Sequence, residues 1–448
     1  MPRPYSDPAE FASKAEMKAF QLYKLKSLVN RCNANSEFYR EWFKRHDVKI
    51  EAINSITDFT SMLPLMRKED VLKDQQVSPP FGLRLNVPVD KVVVQHISGG
   101  TSGRGQEVQG LTQYDRIQLA HLFSYGFHFS GIERGDVVAT TFPTTTSGGS
   151  VVYDSLVRLH ARVLPIAAHD TLTKLRLMKQ HRARVLLATP SYLKTLEVAA
   201  REQLGWNLAT ELDIEIILTA TEAFSVGRAE GIEKAWGAKL FEWYGSSQRA
   251  GASNCEFGAI HEGKRGLLHH IPQLVLLETL NRETQKPVEF GEVGEAVVTF
   301  LSSEASPLIR FATNDRVRLL PASYCPCGRC SDGYESGTIS RYDDMMKVRG
   351  LNLWPVSVDD VVLAIPGVRN YFGCVTREES GREDISVDIE FEIGVPAIKK
   401  EEITRLIEAQ LRAAIGLRMN VREAGHSLPE FKDTESKARR WLDKRNAT

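Results

Sequence analysis

Val185-Leu186-Leu187-Ala188-Thr189 is followed, after a helical stretch, by Ile214-Glu215-Ile216-Ile217-Leu218-Thr219-Ala220-Thr221-Glu222, and the reading of these two runs decides the fold. Val137-Val138-Ala139-Thr140-Thr141 and Arg162-Val163-Leu164-Pro165-Ile166 are of the same kind. Each is short, apolar and rich in Val, Ile and Leu, without the alternation of a strand that faces water on one side. Residues 172–181 and 191–204 read as the helices between them. Continuous apolar strands separated by helices predict βαβ units and a parallel sheet buried on both faces.

Upstream, residues 8–46 carry helical spacing through Phe11, Leu22, Leu25, Leu28, Val29, Phe38, Tyr39 and Phe43. Downstream, residues 274–280, 294–300 and 316–320 read as closely spaced strands and predict a smaller β-rich subdomain. After about residue 343 a new α/β alternation begins, with segments 358–365, 371–376 and 385–393 and a helix over 398–415. The expectation is an α/β chain in two parts. Residues 1–342 form a large N-terminal domain with parallel-type sheets and a β-rich subdomain, and residues 343–448 form a small α+β C-terminal domain.

The chain has 448 residues, 57 Lys plus Arg and 57 Asp plus Glu, so its charge gives no reason to expect nucleic acid or an anionic membrane as partner. Its start lacks the apolar segment of a signal peptide, and no apolar run is long enough to span a bilayer. A cytoplasmic monomer or homodimer is expected. The six cysteines are few and clustered, which favours metal or chemistry over a disulfide framework.

Ser98-Gly99-Gly100-Thr101-Ser102-Gly103 follows Lys91-Val92-Val93-Val94-Gln95, which reads as a strand. Small and hydroxyl-bearing residues cannot fill a core, but their N–H and O–H groups can wrap phosphate oxygens. The loop leaves a strand end, where α/β folds bind ligands. It is not a P-loop, because the Gly-Lys-Ser/Thr ending is missing. Four further segments accompany it: Ile217-Leu218-Thr219-Ala220-Thr221-Glu222, Glu242-Trp243-Tyr244-Gly245-Ser246-Ser247-Gln248, Arg310-Phe311-Ala312-Thr313-Asn314-Asp315, and Ser340-Arg341-Tyr342-Asp343-Asp344-Met345-Met346-Lys347-Val348-Arg349-Gly350. Glu435-Ser436-Lys437 lies near the chain end.

In this order and spacing the segments resemble the adenylate-forming acyl-ligase superfamily, with the phenylacetate–CoA ligase branch the nearest match. The resemblance runs from about residue 20 to the end. It implies two steps: a carboxylate attacks the α-phosphorus of ATP to give an acyl-adenylate and pyrophosphate, and coenzyme A then displaces AMP. The first step gathers anions, so it needs cations, Mg²⁺ and N–H donors where phosphate charge develops. By the resemblance, residues 98–103 hold the β- and γ-phosphates. Ala220, Thr221, Glu222, Tyr244, Gly245, Ser246 and Ser247 flank adenine and the acyl group, Asp315 accepts hydrogen bonds from the ribose hydroxyls, and Arg341 fixes the ribose or α-phosphate side. Lys437 is the implied catalytic residue, its ammonium bridging carboxylate and α-phosphate. Asp343 is the hinge about which the C-terminal domain turns, and Gly350 leaves room for the pantetheine arm of CoA.

The sequence departs from the family pattern twice. Gln106 stands where the loop usually ends in Lys or Arg, as in the phenylacetate branch, which also lacks that Lys. Gln248 stands where the superfamily carries a Mg²⁺-binding Glu; an amide oxygen still binds Mg²⁺ but without negative charge, so the expectation is either compensation by Glu222 or Glu242 or slow turnover.

Cys255-x₅-His261 and Cys325-Pro326-Cys327-Gly328-Arg329-Cys330 offer thiolate and imidazole, the ligands of structural zinc. The branch resemblance implies Cys255, His261, Cys325 and Cys327. By spacing alone Cys327 and Cys330 form the tighter pair, so Cys330 in place of Cys325 stays open. Phe142, Tyr153, Phe224, Trp243 and Tyr244 are candidates for an aromatic wall around an aryl acid. Two other readings remain: an adenylating enzyme that passes its acyl group to a carrier protein or an amine, and a non-catalytic protein on the same fold.

Overall fold

The computed structural model describes residues 8–98, 105–377, 383–392, 394–425 and 440–445. Its centre is a twelve-stranded mixed sheet. One half is parallel and runs in the order Arg162–Pro165, Val137–Thr140, Val185–Leu187, Ile216–Thr219, Lys239–Gly245. The strand Lys239–Gly245 then pairs antiparallel with Gly251–Asn254. Antiparallel pairing continues through Leu267–His270, Gly333–Glu335, Phe311–Leu320, Val293–Phe300 and Val275–Leu280. The β-rich region expected after residue 274 is therefore present, but it is hydrogen-bonded into the same sheet as the βαβ units.

Alternate residues of the parallel strands go to opposite faces, and both faces are buried. Val138, Val185, Leu187, Ile216, Leu218 and Phe241 belong to one core, while Val137, Ala139, Leu186, Ile217 and Leu240 belong to another. The first core is covered by the helices Gln113–Phe129 and Ser147–Arg158 and by the N-terminal helices Lys14–Asn35 and Glu37–Arg45. The second is covered by Thr171–Gln180, Pro190–Ala199 and Val226–Trp236. This two-sided burial is why the strand sequences show no polar alternation. The helix Pro190–Ala199 starts where the sequence says it must: Thr189 caps it by accepting from the Tyr192 N–H, and Pro190 sits at the first turn.

A third core belongs to the C-terminal region. The hairpin Met346–Val348 and Leu351–Leu353 opens it. Its turn residues Arg349 and Gly350 both have positive φ, 49° and 81°, the geometry that matches hairpin twist. The helix Pro355–Val362 occupies much of segment 358–365, and Ala397–Ile415 forms the expected long helix. Both pack on a four-stranded sheet ordered Asn420–Glu423, Glu383–Phe391, Val368–Arg377, Trp441–Asp443. Among the described residues no helix is long and apolar enough to cross a membrane.

One local expectation fails. The strand expected at 91–95 is Val94–Ile97, preceded by a 3-10 turn at Val89–Lys91. It pairs antiparallel with Val108–Leu111, so the Gly-rich run joins two strands of a hairpin and does not lead from a strand into a helix.

Candidate active site

The neck of that hairpin is well defined. The Ser98 N–H donates to the Glu107 carbonyl at 2.9 Å, and the Ser98 hydroxyl accepts from the Glu107 N–H at 2.8 Å. Ser147, in the first turn of a helix, holds the other side by accepting from the Ile97 N–H at 3.1 Å. The remaining loop residues Gly99, Gly100, Thr101, Ser102 and Gly103, and Lys437, lie outside the described residues.

Tyr244, Asp315 and Arg341 come together across the sheet. Asp315 and Arg341 are register partners on adjacent antiparallel strands. The Tyr244 hydroxyl donates to Asp315 Oδ2 at 2.6 Å, and Arg341 Nη1 lies 3.5 Å from Oδ1. Burial, then the Asp315 charge beside it, pushes the Tyr244 phenol well above its usual range, so it stays a donor. Arg341 Nη2 also reaches Asp343 at 3.4 Å. One anion thus sits between an aromatic hydroxyl and a guanidinium, a carboxylate acceptor held in fixed orientation. Next to Tyr244, Gly245 is required by space: a Cβ there would fall 2.8 Å from the rings of Phe123 and Trp243.

The strand ends supply the adjoining wall. Thr221 adopts φ 74°, which turns the chain sharply after the strand Ile216–Thr219. Glu222 accepts from the Ser191 N–H at 3.0 Å and from its hydroxyl at 2.5 Å. Ser191 in turn accepts from Arg440 Nη2 at 2.5 Å, and Arg440 also reaches Asn370 at 3.1 Å and Asp359 at 3.5 Å. The C-terminal region is therefore tied to the N-terminal strand ends by a buried arginine. Ser246 accepts from the Ala250 N–H at 3.3 Å, and Ser247 is exposed in the same turn.

The carboxylates separate by partner. Glu242 is buried and accepts from the Ser336 hydroxyl at 2.7 Å and the Gly337 N–H at 2.5 Å. It braces the sheet rather than standing beside Gln248. Glu222 is likewise engaged with Ser191. The carboxylate that does meet Gln248 is Glu107: the Gln248 side-chain amide donates to Glu107 Oε2 at 2.5 Å. Glu107 is not among the sequence candidates. Its only signal is its place just past the Gly-rich loop, and it lies 141 residues from its partner.

The aromatic candidates divide too. Phe142, Phe224, Trp243 and Tyr244 are buried, whereas Tyr153 is 38% exposed on the outer face of Ser147–Arg158. Trp243 packs edge-on against Phe123 and Phe127, at 4.4 and 5.3 Å between ring centres, and so belongs to the core.

The cysteine loops converge on a different histidine from the expected one. Cys255, Cys325, Cys327 and His269 are all buried, with ligand atoms within 4.8 Å of one another. Cys255 and Cys325 sulfurs are 3.5 Å apart, and Cys327 Sγ is 3.3 Å from His269 Nε2. Tetrahedral zinc with bonds of about 2.3 Å to sulfur and about 2.0 Å to nitrogen gives edges of roughly 3.4–3.8 Å. His269 Nδ1 faces the Ser331 carbonyl at 3.4 Å. A carbonyl only accepts, so that nitrogen carries the proton and Nε2 presents its lone pair to the sulfurs. His261 instead meets Phe257 edge-on, 4.8 Å between ring centres, with its side chain 37% exposed, and is no part of the cluster. Cys330 points away, toward the Ala9 carbonyl at 3.7 Å. His269 escapes a reading by spacing because it lies on the strand Leu267–His270, in a His-His pair whose inward member the sequence does not reveal.

Residues 350–445 match the AMP-binding enzyme C-terminal domain. A phenylacetate–coenzyme A ligase of Aromatoleum evansii is 27% identical, over 98% of this chain and 97% of its own length. The Thermus thermophilus phenylacetate–coenzyme A ligase is 28% identical over 86% of this chain and 84% of its own. Along nearly its whole length the chain is thus similar to phenylacetate–coenzyme A ligases. Its fold is that of a crystallised 2-hydroxyisobutyryl-CoA ligase, with a TM-score of 0.87 at 22% identity over 99% of this chain and 95% of the other.

Glu242 gives a test of its bracing role. Burial raises its carboxyl from 4.5 to about 7. The folded state then holds the proton more tightly than the unfolded state, so Glu242 favours folding below pH 4.5 and loses that contribution as pH rises through 7. Relative to Glu242→Gln, wild type should lose about 3 kcal/mol of stability between those limits, at about 1.4 kcal/mol per pH unit. Urea unfolding of both proteins at pH 5 and pH 8 measures this. A stability difference that does not change with pH would refute it.

Proposed function

We propose that this protein is an AMP-forming carboxylate–CoA ligase acting on an aryl or arylacetic acid. The observation that carries the reading is the Tyr244–Asp315–Arg341 group, assembled beside the strand ends in a chain similar to phenylacetate–CoA ligases along nearly its whole length. Asp315, with one oxygen on Tyr244 and the other toward Arg341, is oriented to accept ribose hydroxyls. Arg341 supplies positive charge on the α-phosphate side. The loop over residues 98–103 wraps the distal phosphates, and its neck is fixed by Ser98 and Glu107. Mg²⁺, when bound with ATP, screens the phosphates against the incoming carboxylate. Lys437, three residues before the interdomain Arg440, bridges the acid carboxylate and the α-phosphate. Ala220, Thr221 and Tyr244 line the adenine and acyl side, with Phe142 behind them.

In the second half-reaction the C-terminal region turns about Asp343, in the single 3-10 turn Tyr342–Asp344 that precedes the C-terminal core. Gly350 sits at the tip of the hairpin turn, where even an added Cβ would meet no atom within 4 Å, which suits a place for the pantetheine arm. CoA is the acceptor in this reading.

A carboxylate panel with ATP, read as pyrophosphate release with and without CoA, tests the reading. Aryl acids should give CoA-dependent turnover. Adenylation without a CoA thioester product would favour a carrier protein or amine as acceptor, and no pyrophosphate from any acid would overturn the reading. Lys437→Ala should lower adenylation by roughly 10²-fold or more, the scale of losing a contact made only in the transition state. Thioester formation from supplied acyl-adenylate should survive. Full adenylation by the variant would remove Lys437 from the mechanism.

The buried Cys255, His269, Cys325 and Cys327 fit structural zinc, since the donor set is soft and closed and the Ser331 carbonyl orients its imidazole. Held there, zinc pins the 325–330 loop to the sheet. Protein purified without chelator should carry about one zinc per chain. Cys327→Ser should lower both metal content and melting temperature, while His261→Ala should change neither. Zinc-free protein of full stability would sink the assignment.

A further inference from the structure

Glu107 is 2% exposed, and one of its oxygens accepts from Gln248. Its other oxygen, Oε1, is buried with no hydrogen-bond partner among the described residues. Natural proteins rarely leave a buried carboxylate oxygen orphaned, because it costs its full desolvation. The hydrogen bond to Gln248 also settles how that amide is turned. A carboxylate only accepts, so the Gln248 nitrogen faces Glu107 and its oxygen faces away. The Gln248 amide therefore holds the Glu107 carboxylate by one oxygen and leaves the other, Oε1, without a partner among the described residues.

Its position is equally specific. Glu107 closes the neck of the Gly-rich hairpin through Ser98. Through Gln248 it also joins that neck to the turn that follows Tyr244, and the charges of Lys68, Arg84 and Arg341 act on its carboxylate. The carboxylates expected from the sequence to compensate for Gln248, Glu222 and Glu242, are spent on Ser191 and on Ser336 with Gly337. Oxygen donors of this type suit a hard divalent cation such as Mg²⁺, which binds through one or two carboxylates together with substrate phosphates.

We propose that Glu107 is the charged ligand for the divalent cation that accompanies ATP, and that Gln248 is its neutral orienting partner. The negative charge has moved across a hydrogen bond, from the turn after Tyr244 to the exit of the phosphate loop. This rests on the ligase reading above.

The test measures binding, not turnover. Mn²⁺ stands in for Mg²⁺ with the α,β-methylene analogue of ATP, and electron paramagnetic resonance counts bound Mn²⁺. AMP, which needs no metal, is titrated separately by calorimetry. Glu107→Gln should weaken Mn²⁺ binding in the ternary complex by roughly 10- to 100-fold, the usual cost of losing a metal-site group. AMP affinity should barely change. The double variant Glu107→Gln/Gln248→Glu exchanges the two groups across the same hydrogen bond and should restore most of the Mn²⁺ affinity, while the retained AMP affinity of Glu107→Gln shows that the single variant had folded. Unchanged Mn²⁺ binding in Glu107→Gln would overturn the proposal. Equal loss of AMP and Mn²⁺ that the exchange fails to restore would do the same, since Glu107 would then only shape the pocket. Wild type that binds neither AMP nor the Mn²⁺–analogue complex would overturn the ligase reading itself.

Discussion

A parallel sheet buried on both faces leaves its strand ends as the place for chemistry, and that constraint orders this molecule. The strands Val185–Leu187 and Ile216–Thr219 spend their apolar side chains on one core or the other. Polar work can begin only where the chain leaves the sheet, at Thr189 to Ser191, at Ala220 to Glu222 and at Tyr244 to Gln248. The change of direction after Lys239–Gly245 matters for the same reason. It lets antiparallel strands continue the sheet and bring Asp315 and Arg341 level with Tyr244.

The contact between the two regions is polar where the cores are apolar. Arg440 is buried, yet its guanidinium reaches Ser191, Asn370 and Asp359 together. A buried ion pair of this kind adds little net stability, because desolvation cancels much of the attraction. What it supplies is a defined geometry that water and other partners can replace. An apolar interface of the same area would resist any turning of the C-terminal region. The polar clasp suits the turning of the C-terminal region proposed above.

Much of this is legible in the residues. The apolar strand runs and the helices between them follow from local pattern, and the structure contains each of them. The groups around Asp315 are legible only through the family order of motifs, since a lone Asp or Arg in a loop reads as a solvated ion pair. The errors share a physical cause. Local pattern puts the first strand at residues 91–95 and misses the return strand, Val108–Leu111, which is too short to announce itself. It favours His261 over His269 because sequence spacing measures distance along the chain. Zinc sites are set by distance across it, and the strand Leu267–His270 carries His269 inward beside Cys327.

The same distinction explains the site's charge. Judged by position, Gln248 is a lost carboxylate and an argument against a working cation site. Judged by space, nothing is lost: a carboxylate stands 2.5 Å away, supplied by Glu107. Electrostatic stabilisation depends on where charge sits relative to the reacting phosphate, not on which strand carries it. Two residues joined by a hydrogen bond can exchange acid and amide while the field between them changes little. The exchange has one structural consequence: the acid now belongs to the hairpin that holds the phosphate loop. Cation and loop would then be held by one element of the chain, so that ordering the loop around ATP and positioning the metal become a single event.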